Sequence, residues 1–318
     1  MTIRSGFFQS EDGLAIHWRS AGEGPPLVCN NGVGVSVGWW RSFVDSFAPR
    51  HQVVVWDYPG HGLSQAPRDP SVTDLSVPRL ARDLQRVMQA SGAHRPVLVG
   101  HSLGCQVIFE HHRLYPEAAR ALIPMLGSAG STLSTFMNQP GTSALMRRTR
   151  GVVRGTSWVS RWLPQLAFHG PLPPRIARRL ALVNRHTISR VDFQSYLKHL
   201  GDINWHVFVE TAVAADEHDA WDTLPRIQVP VLVVAAERDL FTPLHLSRRM
   251  ARILPNSELL VLEGGSHAAP LEQPDRIEAR VDRFLRLQVF PELELRPIPG
   301  HGQRSARGSQ AGSGPPGS

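Results

Sequence analysis

Short, uninterrupted runs of apolar residues alternate along the chain with segments that are apolar on one helical face only. The segment around Leu80, Leu84, Val87 and Met88 follows the i, i+4, i+7, i+8 spacing of an amphipathic helix. Continuous apolar strands that alternate with helices predict a mostly parallel central sheet with helices on both faces. The predicted strands are residues 7–9, 14–19, 27–29, 53–56, 96–99, 121–126, 231–235 and 258–262.

This alternation stops near residue 128 and resumes only after residue 221. We find no buried strand pattern between these points, where candidate helices are separated by prolines and by Gly201. The pattern predicts an α/β core made of residues 1–127 and 222–290, with a helical insertion, residues 128–221, after the sixth strand. Residues 291–318 are rich in Gly, Ser, Pro and Arg, so we expect a disordered tail.

The composition is that of a protein with a substantial core, since 42% of the 318 residues are hydrophobic. No apolar run reaches the roughly 18 residues of a membrane span, and residues 1–10 do not read as a secretory signal. The two cysteines read as free, buried thiols, so we expect a cytoplasmic protein. The net charge is +7, but the arginines are scattered, which favours a solvated surface over a nucleic-acid partner.

The pentapeptide Gly-His-Ser-Leu-Gly at residues 100–104 fits the pattern Gly-x-Ser-x-Gly. It follows the apolar strand 96–99 and precedes a helical stretch, 103–114, which is the setting of a nucleophile elbow. The glycines suit a tight turn, and the helix start places a positive dipole beside developing negative charge. We therefore predict that Ser102 is a nucleophile; the competing interpretation is a glycine-rich turn with an idle serine.

A serine nucleophile needs a base and an acid that orients it. Asp239 and His267 each follow a late predicted strand, so both should lie at the sheet edge that carries Ser102. Glu237 is a competing acid, but it precedes Arg238, with which we expect an ion pair. The other histidines considered as bases are expected to be structural, namely His61, His101, His111 and His112.

Four motifs together resemble the α/β-hydrolase superfamily, in its serine-nucleophile branch with a helical cap. They are Asn31-Gly32, residues 57–64, the elbow, and the Asp239 and His267 segments. The resemblance covers roughly residues 6–287. That branch includes carboxylesterases, lactonases, carbon–carbon bond hydrolases and cofactor-free haloperoxidases. Epoxide and haloalkane hydrolases carry Asp at the position of Ser102, so the resemblance argues against those two activities.

The resemblance also implies an oxyanion hole made of the backbone N–H groups of Val33 and Leu103. Asn31 stands where most relatives have His, but a backbone donor survives such a change, and the Asn31 amide is able to hold the loop. An ordinary glycine-rich turn is the alternative for this loop. The residues expected to support the loop and the elbow are Asn31, Gly32, Gly100, His101 and Gly104.

The predicted function is hydrolysis of a carboxylic ester, lactone or thioester with an apolar moiety, through an acyl-enzyme on Ser102. Carbon–carbon bond hydrolysis, perhydrolysis and acyl transfer remain alternatives, as does a ligand-binding protein without turnover. We expect no metal and no cofactor, because the sequence holds no His-Glu-x-x-His, no Cys-x-x-Cys and no complete dinucleotide fingerprint. The aromatic residues of the insertion predict either helix core or an apolar wall over Ser102; they are Trp158, Trp162, Phe168, Phe193, Trp205 and Phe208.

Overall fold

A computed structural model describes residues 1–131, 141–155 and 203–293 of the chain. Its strands form one eight-stranded sheet in the order β1-β2-β4-β3-β5-β6-β7-β8. The β1–β2 and β2–β4 pairs are antiparallel, and every pair from β4 to β8 across the sheet is parallel. The predicted mostly parallel sheet is therefore confirmed. The strands are β1 Ile3–Gln9, β2 Ala15–Ala21, β3 Pro26–Asn30, β4 Gln52–Trp56, β5 Val97–His101, β6 Ala121–Met125, β7 Val231–Ala236 and β8 Ser257–Leu262.

Helices pack on both faces of this sheet and form two apolar clusters. Alternate residues of a strand point to opposite faces, so Leu27 and Cys29 belong to one cluster while Val28 belongs to the other. The first cluster includes Phe47 of α1, and the second includes Leu84 of α2. The helices are α1 Arg41–Phe47, α2 Val77–Ser91, α3 Leu103–Leu114, α4 Thr142–Gly155, α5 Trp205–Glu217, α6 Leu244–Ile253, α7 Ala269–Glu272 and α8 Pro274–Phe284.

Helices α4 and α5 lie within the predicted insertion and are joined by ion pairs of Glu210 with Arg150 and Arg154. Residues 132–140 and 156–202 lie outside the described residues, and so do four of the insertion's aromatics: Trp158, Trp162, Phe168 and Phe193. The helical cap and the domain boundaries therefore stay predictions. Residues 294–318 of the predicted disordered tail also lie outside the described part of the chain.

The parallel strands bring their carboxyl ends to one edge of the sheet. The loops that follow β3, β5, β7 and β8 all leave from this edge, and they carry the residues predicted to form the site. No helix within the described ranges is long and apolar enough to cross a membrane.

Candidate active site

The turn between β5 and α3 holds Ser102 in a strained backbone conformation. Its φ of 54° and ψ of −116° lie in a region that residues other than glycine rarely adopt. The Ser102 N–H donates to the carbonyl oxygen of Met125, at 3.0 Å. Steric crowding requires glycine on both sides of the serine. A Cβ at Gly100 would collide with the carbonyl oxygen of Gly104, and a Cβ at Gly104 would collide with the carbonyl oxygen of Asn30. The segment thus forms a tight turn, the elbow, that directs the Ser102 side chain away from the sheet.

Three side chains from three different loops meet at this edge. The Ser102 Oγ lies 3.1 Å from Nε2 of His267, and Nδ1 of His267 lies 2.8 Å from Oδ2 of Asp239. The side chain of Asp239 is fully buried, whereas that of His267 is 16% exposed. The structure therefore brings together the three residues that the sequence selects as nucleophile, base and acid.

Asp239 is held as an acceptor by its own loop as well as by His267. Its Oδ1 accepts the backbone N–H groups of Phe241 and Thr242 at 2.8 and 2.9 Å, and its Oδ2 accepts the Thr242 hydroxyl at 2.7 Å. Burial alone would raise the pKa of this carboxyl, but the charge and hydrogen bond of His267 and the two bonds from Thr242 outweigh it, so the pKa is lowered. Asp239 is thus kept ionised against His267.

Glu237, the competing acid, is directed elsewhere. Its Oε2 accepts the backbone N–H of Gly264 at 2.9 Å, which ties the loop after β7 to the loop after β8. The expected ion pair with Arg238 is wrong, since the carboxylate holds a backbone turn instead. Of the two acids, it is Asp239 that contacts His267.

His101, inside the elbow, is buried beneath His267. Its Nε2 lies 3.2 Å from the carbonyl oxygen of His267, so this nitrogen carries a hydrogen and donates it. Burial, and next the charge that His267 carries when it is protonated, lower the pKa of His101 to about 3. The ring also lies 4.8 Å from that of Trp39. His101 therefore stays neutral and supports the backbone of His267.

The loop after β3 passes directly beside Ser102. A Cβ at Gly32 would lie 3.0 Å from the Ser102 Cβ, so a larger residue here would require Ser102 or the loop to shift. The Asn31 Nδ2 donates to the Trp56 carbonyl oxygen at 2.7 Å, and its Oδ1 accepts from Trp40 Nε1 at 2.7 Å. The asparagine amide thus ties the loop to β4 and to the turn before α1.

The two backbone donors predicted for the oxyanion flank the serine. Val33 follows Gly32 in the loop beside Ser102 and is partly exposed. Leu103 is the first residue of α3, and the first N–H groups of a helix have no partner within it. Both N–H groups therefore belong to backbone that adjoins the nucleophile.

The turn that carries His267 is fixed by a buried carboxylate that the sequence interpretation missed. Glu272 accepts the backbone N–H of Ser266 at 2.9 Å and its hydroxyl at 2.5 Å. The same hydroxyl oxygen accepts the N–H of Ala268 at 3.1 Å. His267 is therefore held in place through both of its neighbours in the chain. The sequence signal that could have indicated Glu272 is an acidic residue at the end of the short helix that follows the histidine.

The described residues contain no group of three or more His, Cys, Asp or Glu side chains that could hold a metal ion. Cys29 and Cys105 are both buried, and burial raises the pKa of each thiol. The Cys105 Sγ donates to the Gly100 carbonyl oxygen at 3.2 Å, so this cysteine packs beneath the elbow.

Comparison with known families agrees with this architecture. A family model described as the alpha/beta hydrolase family matches residues 27–280, which span the loop after β3, the elbow and both late loops. The chain belongs to the alpha/beta hydrolase family. The resemblance to the α/β-hydrolase superfamily is thereby confirmed, and the protein is a hydrolase of this fold.

This α/β hydrolase is 27% identical over 261 residues to a putative carbamate hydrolase, RutD, of Azorhizobium caulinodans, a match that covers 82% of this chain and 91% of the relative. Its fold is similar to that of a thermophilic esterase from Thermogutta terrifontis, with a TM-score of 0.71, 23% identity and coverage of 91% and 100%. It is also similar to Est816, described as an N-acyl homoserine lactone degrading enzyme, with a TM-score of 0.65, 25% identity and coverage of 86% and 98%.

Proposed function

We propose that this protein is a serine hydrolase that cleaves a carboxylic ester, lactone or thioester through an acyl-enzyme on Ser102. The observation that carries the proposal is the continuous chain of contacts from Ser102 Oγ to His267 Nε2 and from His267 Nδ1 to Asp239. A serine, a histidine and a buried carboxylate in this arrangement activate a hydroxyl for attack on a carbonyl carbon.

In the first half-reaction, Ser102 Oγ attacks the carbonyl carbon and its proton passes to His267 Nε2. The Asp239 carboxylate stabilises the resulting imidazolium and keeps its Nδ1 proton directed inward. The negative oxygen accepts the N–H groups of Val33 and Leu103. When the carbon–heteroatom bond breaks, the leaving group takes the proton from His267, and the acyl group remains on Ser102.

In the second half-reaction, His267 takes a proton from water, and the hydroxide attacks the acyl carbon. The tetrahedral intermediate collapses, the acid leaves, and Ser102 recovers its proton from His267. All groups needed for this cycle are side chains or backbone N–H groups of the chain itself. The substrate is proposed to be a small molecule with an apolar part, which matches the apolar rings of Phe241 and Trp39 near the two active-site histidines.

Carbamate hydrolysis is the second candidate, because the relative from Azorhizobium caulinodans bears that name and covers most of the chain. A carbamate also has a carbonyl carbon that carries a heteroatom leaving group, so the same attack would place a carbamoyl group on Ser102. The two candidates therefore share the nucleophile and differ in the group that remains on it.

A probe of the nucleophile combined with a substrate panel tests the proposal. We expect a fluorophosphonate to label Ser102 in the folded protein, and a series of p-nitrophenyl esters and carbamates to be hydrolysed. Ser102→Ala should abolish labelling and lower kcat by several orders of magnitude, as losses near 10⁶-fold are known for such nucleophiles. Near-full activity of Ser102→Ala would refute the proposal.

The same panel separates the candidates. A higher kcat/KM for esters than for carbamates across the series favours the ester assignment, and the reverse order favours the carbamate assignment. If the folded wild-type protein neither labels nor turns over any member, a binding protein without turnover replaces both.

A further inference from the structure

The loop beside Ser102 contains a β-turn whose central peptide can adopt two orientations. Val35 N–H donates to the Gly32 carbonyl oxygen at 3.4 Å, and Gly34 has a φ of 76°, which is the pattern of a type II turn. Type I and type II turns differ by a rotation of roughly 150–170° of the central peptide. Here that peptide joins Val33 to Gly34, and glycine at the second central position permits either orientation.

One side chain contacts this central peptide. The Gly34 N–H donates to Nε2 of His61 at 3.1 Å, and Nδ1 of His61 lies 3.0 Å from the Pro59 carbonyl oxygen. The Pro59 oxygen only accepts, so Nδ1 carries the hydrogen. Nε2 of His61 is therefore an acceptor. These two contacts define a neutral imidazole with a single tautomer.

This tautomer discriminates between the two turns. In the reversed turn the Val33 carbonyl oxygen would replace the Gly34 N–H and face the lone pair of His61 Nε2. Two acceptors would then oppose each other at a buried position, which costs the hydrogen bond and brings two lone pairs together. His61 is only 1% exposed, so water does not compensate for the loss there.

We propose that His61 is a positioning residue for the turn of residues 32–35, which we call the oxyanion turn. His61 holds this turn in its active orientation. The inference rests on the proposed function, because Val33 supplies one of the oxyanion donors. Reversal of the adjoining peptide would change the direction of a dipole beside the oxyanion, where stabilisation depends on dipoles fixed in advance.

The segment that carries His61 is itself rigidly held, as this function requires. Asp57 accepts the Leu63 N–H at 3.2 Å and the Val37 N–H at 2.9 Å, so one carboxylate joins this segment to the chain beyond the oxyanion turn. Gly62 has a φ of 51° and packs directly on that carboxylate. The His61 ring is thus placed by the fold and not by the loop that it contacts.

Three variants of His61 separate its hydrogen bonds from its volume. His61→Gln keeps an acceptor near the position of Nε2, His61→Asn is too short to reach Gly34, and His61→Phe keeps the ring without an acceptor. We expect kcat for a p-nitrophenyl ester to fall about 10–100-fold in the Asn and Phe variants, since small misplacements of catalytic groups cost up to about 10². KM should stay within about twofold, and the Gln variant should retain kcat within about threefold.

A second readout does not depend on turnover. Amide hydrogen exchange of Gly34, measured by NMR, should accelerate in the Asn and Phe variants and stay near the wild-type rate in the Gln variant. His111→Asn is the matched control: it removes another buried histidine, 2.9 Å from Gln85, and should lower stability without changing kcat. If His61→Phe does not fold, the Asn and Gln variants carry the comparison.

Two results would overturn the inference: Asn and Phe variants that keep kcat within threefold of wild type, or a Gln variant as impaired as the Phe variant. A wild-type protein that neither labels at Ser102 nor turns over is a different failure, that of the proposed function. In that case the amide exchange of Gly34 still tests whether His61 holds the turn. An unchanged exchange rate in His61→Asn would refute that role.

Discussion

Thr242 donates its hydroxyl hydrogen to Oδ2 of Asp239 across 2.7 Å, and His267 Nδ1 contacts that same oxygen at 2.8 Å. Two donors on one carboxylate oxygen stabilise its ionised form, and the pKa of Asp239 is lowered although burial opposes this. Thr242 therefore acts on His267 through Asp239, because it fixes both the charge and the direction of the acceptor.

Thr242→Val should lower stability in a pH-dependent way. A carboxyl whose pKa is lowered in the folded state adds stability above its unfolded pKa, and that stability is lost as the pH falls through the folded pKa. At pH 7 we expect a loss of about 1.5–3 kcal/mol in the free energy of unfolding. The gap from wild type should narrow as the pH falls below the unperturbed value of 3.8.

Urea unfolding at several pH values from 7 downward measures this gap. Thr242→Ser keeps the hydroxyl and is the matched control, so it should stay close to wild type throughout. A gap that does not change with pH would mean that the valine acts through packing and not through Asp239.

Asp239→Asn should lower kcat by about 10³–10⁴-fold while the protein stays folded. An amide in this place no longer stabilises an imidazolium, and it allows the wrong tautomer of His267. Glu237→Gln is the control, since that carboxylate contacts the Gly264 backbone and not His267. Steady-state kinetics of both variants check the assignment. Equal losses in the two would mean that the choice between the two acids is wrong.

Local patterns were sufficient to predict the elements that carry the site. The helix expected at residues 103–114 is observed as Leu103–Leu114, because the elbow fixes its start and a continuous pattern follows. The start of strand β1 is predicted less well, since the strand begins at Ile3, four residues before the predicted start at residue 7. Among the described strands it pairs with β2 alone, at the sheet edge, and its exposed first residues lack a buried periodicity.

The supporting contacts of His61 and Asn31 could not be predicted, since their partners lie in other elements of the fold. His61 and Gly34 are 27 residues apart, and nothing in the motif around His61 indicates which loop it contacts. The sequence interpretation allowed Asn31 to hold its loop, but its partners, Trp40 and Trp56, become evident only when β3 and β4 lie side by side. Tertiary packing decides these pairs, and the local pattern does not.

Asn31→Ala should destabilise the protein and slow the reaction together. It leaves the Trp40 indole N–H and the Trp56 carbonyl oxygen without their buried partner, and each unsatisfied group costs about 1–3 kcal/mol. The loop beside Ser102 also loses its tether, so the rate of fluorophosphonate labelling should fall at least tenfold.

A double-mutant cycle with Trp40→Phe isolates the contact between Asn31 and Trp40. Because the two side chains share a hydrogen bond of 2.7 Å, their losses should not add, and a coupling of at least about 0.5 kcal/mol is expected. Strictly additive losses in urea unfolding would show that this hydrogen bond contributes nothing to stability.

Gly104→Ala should harm the protein although alanine is the better helix former. Gly104 lies in the first turn of α3, where a Cβ would collide with the Asn30 carbonyl oxygen at the end of β3. Either the helix or the strand end must move, at a cost of about 1–3 kcal/mol, and the strand end leads into the loop beside Ser102. Labelling of Ser102 should therefore slow by more than tenfold.

Gly151→Ala is the matched control for this steric argument. Gly151 also lies within a helix, α4, but a Cβ there would meet no atom of the described residues within 4 Å. Alanine at that position should stabilise the protein by about 0.5–1 kcal/mol through helix propensity alone. Thermal unfolding and labelling rates of the two variants give the comparison. If Gly104→Ala were as stable and as reactive as Gly151→Ala, α3 and β3 would have to lie farther apart than the structure places them, and the elbow would not need its second glycine.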